Sequence, residues 1–566
     1  MVSDERGLAT WLARRDDTAL AETFAARGVS PGVGWHDFFD AAAALLEAAS
    51  VDRALTTLPR AALIAAAAGD ASAVPERLAL RDDAGRPYAA VESRLAAAAQ
   101  ANPDAFRPSP TRPPTPTAGE AAAAERAFAT SGALADVLLA CLHAPLTRTI
   151  AGAVSAVDRR RLMDAGAVES PDELDELVVS ASMAGLVVAV DREWVVTEAG
   201  DAWLEASTLE RWSTIVHGLI TRMPEGLRTT AGGIVDPRDW ADAYPLDTDW
   251  PARARRLHTV ARRWGLVSDD GTEPVWTTRL RAGADLDTAA FAAQLPAEID
   301  RVYLQADLTA IAPGPLAPAL DLRLRRIAHR ESRAQASTYR FTAQSLATGL
   351  TEGETAASIR DFLGALSLTG IPQPLDYLVE STAVRHGLVR VHRDERTGTT
   401  RVESADAAIL DAIAVDQALR PLGLIPEAGM LTSRVARNTV YWSLADARYP
   451  VIALDPAGSP ESLHRGAPTL AAAPTRTPAD TYAGLIGTLR DRHEGDTDAA
   501  WLGRELEQAV RLRALIEITV RLPDGSERVF ALEASGFGGG RLRGLDRAAD
   551  IERTLPVSHI VGVRPL

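Results

Sequence analysis

One supersecondary pattern occurs three times in this chain and limits the folds open to it. Each copy is an amphipathic helix that ends at a glycine (Gly185, Gly265 or Gly387), followed by a Leu-Val strand, a charged turn and a second strand. Glycine is typical of a helix C-terminus, because it adopts the left-handed backbone conformation without steric cost. The alternating residues after it predict an antiparallel hairpin.

Two shorter helices precede each copy, so the complete unit is three helices followed by a hairpin. This order predicts a winged helix, with the first copy at 121–207, the second at 208–297 and the third within 298–456. A winged helix can place its last helix in the major groove of DNA. It can also serve as a protein–protein module. The acidic last helix of the first copy, "SPDELDELVVSASMAGLV", favours that alternative there, because phosphates would repel it.

The other two copies carry more positive charge. In the second copy, four arginines can share one broad helix face: Arg255, Arg256, Arg262 and Arg263. This face can either contact DNA or simply be exposed to solvent, and the sequence leaves both alternatives open. In the third copy, the basic residues Arg390, Arg393 and Arg396 lie in the predicted turn, where a wing would meet phosphates. The third copy is therefore the predicted contact.

Residues 302–391 carry a second pattern. A strand with "LQADLTAIAPGP" runs into an arginine-rich helix. It is followed by a Thr-capped helix at "RFTAQSLATGL", a helix at "TAASIRDFLGALS", and "IPQPLDYLVE" leading into a third helix. This order resembles the domain on the N-terminal side of the motor in XPB-like helicases, and the helicase-associated proteins that carry the same domain alone. The resemblance implies an α/β domain that associates with DNA, since in the relatives it is thought to sense distorted DNA.

The chain itself lacks the residues of a motor. All 60 basic residues are arginines, so no lysine can hold the β- and γ-phosphates of a nucleotide as a Walker motif requires. No G-x-S-x-G or H-E-x-x-H motif occurs, and the ten histidines and one cysteine show no zinc spacing. We therefore expect a non-enzyme with no catalytic residues, no metal and no cofactor.

Charge is distributed unevenly along the chain. The net charge is −16 overall, and residues 1–300 hold 29 arginines against 44 acidic residues. Residues 301–401 hold 13 arginines against 10 acidic residues. Five of these arginines concentrate along one predicted helix: Arg323, Arg325, Arg326, Arg330 and Arg333. Their partner is either a phosphate backbone or an acidic face of the same chain, and the sequence leaves both open.

The C-terminal region shows a helix followed by alternating strands, with "ITVRLPDGSERVFALEA", "GGRLRGLDR" and "ERTLPVSHI". This pattern resembles the WYL domain, a small Sm-like β-barrel, although the name motif is replaced by Gly540-Arg541-Leu542. The resemblance implies binding of nucleic acid or nucleotide-like ligands. Arg541, Arg543 and Arg553 are the candidate phosphate or ligand contacts, and a degenerate packing domain is the alternative.

These patterns together predict an α+β, multi-domain protein. The expected order is a helical N-terminal domain at 1–101, a Pro-rich linker at 102–120, two winged helices at 121–207 and 208–297, an XPB-like α/β domain including the third winged helix at 298–456, a linker at 457–480 and a WYL-like barrel at 481–566. No long apolar run suggests a membrane span, and no signal peptide opens the sequence, which favours a cytoplasmic location.

The function expected from the sequence is that of a non-catalytic, DNA-associated accessory or regulatory protein acting in DNA repair or transcription. DNA is the expected partner. One alternative is a protein-interaction scaffold that does not bind DNA directly. Another is an accessory subunit of a helicase whose motor is a separate polypeptide.

Overall fold

The computed structural model describes residues 2–109, 119–229, 232–332, 336–458, 460–461, 477–493, 498–522, 525–547 and 549–565. These residues build a mixed α and β protein with five hydrophobic cores, in agreement with the predicted fold class. Part of the predicted Pro-rich linker, residues 110–118, lies outside the described residues. None of the helices formed by the described residues is long and apolar enough to cross a membrane.

The N-terminal unit is helical. Its helices are α1 Val2–Arg14, α2 Asp17–Ala26, α3 Phe38–Leu46, α4 Ala48–Thr56, α5 Arg60–Ala67 and α6 Ala89–Ala101. Asp16 and Asp37 cap α2 and α3 by accepting hydrogen bonds from backbone N–H groups of the first turn. Phe24, Phe38 and Leu8 are fully buried and anchor the core of this unit.

Residues 120–292 form one continuous core rather than two. The elements are α7 Glu120–His143, β1 Leu146–Thr147, α8 Ala156–Asp164, α9 Pro171–Met183, β2 Val187–Val190, β3 Glu193–Val196, α10 Glu198–Glu205, α11 Thr208–Thr221, α12 Trp250–Arg263, α13 Val275–Thr278 and α14 Thr288–Ala292. The strands pair antiparallel in the order β1-β3-β2. The first predicted hairpin is thus present, and Gly185 before it has a φ of 77°.

The second predicted hairpin is wrong. After Gly265 the chain makes a turn and then enters α13, continued by a 3-10 turn at Arg279–Ala282. The cause is Trp276, which is fully buried, donates its indole N–H to the Gly265 carbonyl at 2.8 Å and packs edge-on against Phe291. This burial holds the segment after Pro274 in a helical turn.

We call residues 121–207 the first unit and residues 208–297 the second unit. Helix α9, which precedes the hairpin of the first unit, is covered by the second unit. The Trp264 indole donates to the Ser180 hydroxyl at 2.9 Å, and Trp264 is fully buried. Arg263 pairs with Glu173 at 3.0 Å and with Glu176 at 2.7 Å. Glu173 and Glu176 of α9 are therefore neutralised by Arg263, and this part of the helix is not open to a DNA groove.

Residues 302–385 form a separate α/β unit. Its elements are β4 Tyr303–Leu304, β5 Thr309–Ala312, α15 Pro318–Ile327, β6 His329–Ser332, β7 Ser337–Arg340, α16 Ala343–Thr351, α17 Ala356–Leu366 and α18 Gln373–Arg385. The sheet has the order β4-β5-β7-β6. Thr342 and Thr355 form capping boxes at the starts of α16 and α17, which confirms the predicted Thr cap.

The third hairpin belongs to a six-stranded sheet. Residues 389–461 contain β8 Val389–Arg393, β9 Thr400–Ser404, α19 Ala407–Val415, β10 Ile425–Glu427, β11 Met430–Ser433, α20 Arg437–Asp446, β12 Val451–Leu454 and β13 Pro460–Glu461. The order is β10-β11-β9-β8-β12-β13, and β12 runs parallel to β8. The predicted hairpin is present, and its inner face packs on a core of its own.

The C-terminal sheet is open. The last elements are α21 Pro478–His493, α22 Asp498–Leu512, β14 Leu515–Arg521, β15 Glu527–Gly538, β16 Arg541–Asp546, β17 Ile551–Pro556 and β18 Ile560–Pro565. The order is β17-β16-β15-β14-β18, and the edge strands β17 and β18 do not pair among the described residues. The predicted closed barrel is therefore not formed by them.

Helix α21 packs away from the C-terminal sheet. Its apolar residues Tyr482, Leu485 and Leu489 are buried in the core of the N-terminal helices. The Tyr482 hydroxyl donates to the Val29 carbonyl at 2.7 Å. The predicted C-terminal domain begins at residue 481, but the buried contacts of this segment are with the start of the chain.

Candidate nucleic-acid interface

The five arginines of the predicted basic helix do not share one helix. Helix α15 ends at Ile327, and Ala328 is extended, with φ −142° and ψ 151°. Arg330 consequently lies on strand β6, while Arg323, Arg325 and Arg326 lie on α15. Arg333 lies outside the described residues. The prediction of a single arginine-lined helix face is therefore wrong in its geometry.

Two of these arginines are paired with the acidic half of the chain. Asp136 of α7, only 7% exposed, lies 2.8 Å from Arg325 and 2.6 Å from Arg330. Asp321 is a second carboxylate near both, at 3.7 Å and 3.8 Å. Burial by itself would lower the pKa of Arg330, but the charges of Asp136 and Asp321 outweigh it and raise that pKa. We call these four residues the Asp136 cluster.

Arg323 is also held within the protein. Its guanidinium makes a two-pronged contact with Glu354, at 2.9 and 3.0 Å, and lies 4.4 Å from the centre of the Phe362 ring. The hydrogen bond from Arg323 lowers the pKa of Glu354. Arg326, by contrast, is exposed and has no ion pair among the described residues. On α15, Arg326 is thus the arginine best placed to meet an external anion.

The β8–β9 hairpin divides its arginines between two faces. Arg393 shares the inner face with the buried Val391, at the end of the strand. Arg390 lies on the outer face opposite Glu403, because successive residues of a strand point to opposite faces. Arg396 lies in the turn between the strands. The structure therefore places Arg393 and Arg396 at the tip and Arg390 behind them.

The arginines of the hairpin tip are open to solvent. Arg390, Arg393 and Arg396 are all exposed, and within the described part of the chain none of them has an ion pair. Asp394 instead holds Arg401 of the opposite strand, and the pKa of Asp394 is lowered, first by a hydrogen bond from Thr397. The tip thus presents exposed guanidinium groups that suit phosphate oxygens.

Arg434 extends this basic surface and was missed in the sequence. It follows β11, whose last residue Ser433 pairs with Thr400, which in turn pairs with Arg393. Arg434 is exposed and, in the described ranges, lacks an ion pair. Only the strand order β11-β9-β8 brings it beside the hairpin, so no local sequence signal could have identified it.

The arginines of the second unit are mostly used internally. Arg262 pairs with Asp269 at 2.8 Å, and Arg263 pairs with the acids of α9. Arg255 and Arg256 are exposed on α12. This surface therefore offers Arg255 and Arg256 to an external anion. At the end of the helix that carries them, Arg263 and Trp264 contact α9, and the chain beyond it forms α13 and not a hairpin.

The three candidate arginines of the C-terminal sheet are not brought together. Arg541 and Arg543 are exposed on one face of β16. Arg553 is paired with Gly544 on the opposite face, where it contacts Asp546 at 2.7 Å and lies 4.8 Å from the centre of the Phe530 ring. Arg541 and Arg543 can still contact an anion, but Arg553 cannot join them without crossing the sheet.

The described residues contain no group of three or more His, Cys, Asp or Glu side chains that could hold a metal ion. Cys141 is buried, and burial raises the pKa of its thiol to about 11. A thiol with a raised pKa is a poor nucleophile at neutral pH. The exposed arginines of the candidate interface can bind anions.

Comparison with known proteins gives a family match over part of the chain. Residues 302–428 match a protein family described as the helicase conserved C-terminal domain. The match spans the α/β unit, the hairpin and the six-stranded sheet as far as β10, and confirms a helicase-associated domain there. The XPB-like N-terminal type and the WYL-like domain stay predictions. No curated protein matches the chain.

Proposed function

We propose that this chain is a non-catalytic, DNA-associated accessory protein that contacts the phosphate backbone through the tip of the β8–β9 hairpin. The observation that carries the proposal is the difference between its arginine clusters. Arg325 and Arg330 are paired with Asp136, whereas Arg393 and Arg396 are exposed without an ion pair among the described residues. The helicase-related match over 302–428 supports the same region.

In this proposal α18 and the hairpin that follows it in the chain contact DNA together, although α18 packs on the core of the α/β unit and the hairpin packs on the next core. The outer face of α18 carries Tyr377, which is 74% exposed, and Arg385, which is exposed at its end. The acids of the helix, Asp376 and Glu380, are both paired with Arg360, at 2.6 and 2.7 Å. Their repulsion of phosphate is thereby reduced, and α18 can approach a groove while the hairpin grips the backbone.

The net charge of −16 sets the expected strength of binding. A strongly acidic protein is repelled by DNA at long range, so affinity must come from a few local arginines. Such binding falls steeply with salt, because each neutralised phosphate releases condensed counterions. We expect modest affinity at low ionic strength and weak binding near physiological salt.

The double variant Arg393→Glu with Arg396→Glu tests the proposal. We expect its affinity for a duplex to fall at least about tenfold at low salt, with the slope of log K against log salt shallower by about two. The matched control is Arg160→Glu with Arg192→Glu, two exposed arginines of the first unit, Arg192 lying in its hairpin turn. Fluorescence anisotropy over a salt series measures both.

The control makes the same change in net charge, so it separates a site from diffuse electrostatics. Its affinity should stay within about twofold of the wild type, because charges beyond a Debye length are screened. Equal losses of duplex affinity in the two variants would contradict the assignment of the DNA contact to the hairpin tip. No DNA binding by the wild-type chain at low salt would favour the scaffold alternative, which the coverage of α9 and the Asp136 cluster also support.

A separate prediction concerns ATP. Because the chain has no lysine to hold the β- and γ-phosphates, we expect no ATP hydrolysis, with or without DNA. A phosphate-release assay on protein freed of contaminating ATPases measures this directly. DNA-stimulated release that copurifies with the chain would contradict the non-catalytic proposal. An accessory role beside a separate motor remains the second alternative, supported by the match at 302–428.

A further inference from the structure

A cleft of about 640 Å³ lies between the β8–β9 hairpin and the start of α20. Its basic walls come from three elements, with Arg393 on β8, Arg434 after β11, and Arg437 on α20. Its volume falls in the range of small-molecule sites, roughly 300–1,000 Å³. A double helix cannot enter a space of this size, but a nucleotide can.

The sheet fixes the spacing of the two open arginines. Arg393 and Ser433 are separated by Thr400 on the strand between them. Neighbouring strands lie about 4.8 Å apart, so the backbones of Arg393 and Ser433 are about 10 Å apart, and Arg434 is the next residue after Ser433. Both arginines line the cleft, where each can donate hydrogen bonds to an anion.

The third arginine is held in place by the protein. Its charge is offset by Glu461, so it acts in the cleft as a fixed hydrogen-bond donor and not as a free cation. Arg437 donates through Nη1 to the Leu454 carbonyl at 2.9 Å and to Glu461 at 2.6 Å, and its side chain is 18% exposed. A guanidinium fixed in this way loses little conformational entropy on binding a ligand. Glu395 is the acid on the cleft wall, and Leu454 and Pro456 supply an apolar part.

We infer that this cleft binds the phosphate-bearing terminal nucleotide of a nucleic-acid strand. The inference rests on the proposed function, because the strand would be delivered by the neighbouring hairpin. A convex hairpin can follow a continuous backbone, whereas a cleft of nucleotide size receives a chain end. A terminal phosphate monoester carries up to two negative charges near neutral pH, against one for an internal phosphodiester, and so gains more from several arginines. Leu454 and Pro456 provide surface for the sugar or base.

The test uses one duplex sequence in four forms: 5′-phosphorylated, 3′-phosphorylated, with hydroxyls at both ends, and as a closed dumbbell without ends. We expect the full chain to bind one phosphorylated form about tenfold more tightly than the hydroxyl form, from hydrogen bonds to a charged group. Arg434→Gln should bring this ratio close to one. Arg160→Gln, which removes one exposed arginine elsewhere, should leave the ratio as in the wild type.

A competition arm distinguishes a strand end from a free nucleotide. Deoxyadenosine 5′-monophosphate that displaces the phosphorylated duplex but not the dumbbell would show that the cleft takes the nucleotide phosphate from either source. Failure of the mononucleotide to compete, with the end preference intact, would assign the site to strand ends. Glu395→Gln is expected to increase the end preference, since it removes the acid from the cleft wall.

The result that overturns the inference is separate from failure of the proposed function. Equal wild-type affinity for all four duplex forms, or an end preference unchanged in Arg434→Gln, would overturn the cleft assignment while DNA binding by the hairpin stands. Loss of dumbbell binding in the Arg393 and Arg396 double variant tests the hairpin itself. If that variant binds the dumbbell as the wild type does, the proposed function fails whatever the ends show.

Discussion

Replacing Asp136 by alanine is expected to lower the free energy of unfolding by about 3–5 kcal/mol. The carboxylate is only 7% exposed and lies within 2.8 Å of both Arg325 and Arg330, which are 21% and 15% exposed. Without it two largely buried guanidinium groups share Asp321, whose closest contacts to them are 3.7 and 3.8 Å. An uncompensated buried charge is costly because it has lost its water without gaining a partner. Urea unfolding followed by circular dichroism measures the change.

The matched control for this prediction is Asp164→Ala, which removes an exposed acid at the end of α8. Surface substitutions of this kind are usually within about 0.5 kcal/mol of the wild type. A loss for Asp136→Ala no larger than that of the control would show that the Asp136 cluster does not form. Because Asp136 lies on α7 and its partners on α15 and β6, the same measurement tests whether the acidic half is joined to the helicase-related unit.

Local sequence signals predicted two of the three hairpins because their causes are local. A glycine in the left-handed conformation ends each helix, with φ values of 77° at Gly185 and 86° at Gly387, and alternating residues follow. Gly265 has the same conformation, with φ 68°. The chain beyond it differs because Trp276 is drawn into a core that includes Phe291. That contact depends on tertiary packing, which a hairpin pattern does not contain.

The roles of the arginines could not be read from the sequence for the same reason. Arg330 and its partner Asp136 are 194 residues apart, so a paired and an unpaired arginine look alike along the chain. Arg434 joins the hairpin surface only through the order of the strands. The C-terminal strands were predictable from alternation, but closure of a barrel depends on pairing between β17 and β18, the two ends of the sheet. Charge patterning located the basic region, and its candidates included the open arginines Arg326, Arg390, Arg393 and Arg396. It did not separate them from Arg323, Arg325 and Arg330, which are paired within the protein.

Trp264→Ala is expected to cost about 3–5 kcal/mol of unfolding free energy, the range for deleting a large aromatic side chain from a core. Trp264 is fully buried, its carbonyl accepts the Trp212 indole N–H at 2.8 Å, and its own indole donates to Ser180 of α9. The substitution leaves a cavity at the boundary between the first two units. Urea unfolding measures the loss, and hydrogen exchange should show faster exchange of the α9 amides.

Trp264→Phe separates packing from hydrogen bonding at this boundary. It keeps most of the buried ring but removes the indole donor, so we expect an intermediate loss of about 1–3 kcal/mol. The Ser180 hydroxyl keeps its own hydrogen bond to the Glu176 carbonyl at 2.7 Å, so we expect a loss of unfolding free energy at the lower end of this range. If neither variant changed exchange in α9, that helix would not be held by α12, and the first unit would regain a free face for DNA. If both variants lose stability while Trp264→Phe binds duplex DNA as tightly as the wild type, the DNA contact lies away from the first unit. The hairpin of the third copy would then be the favoured contact.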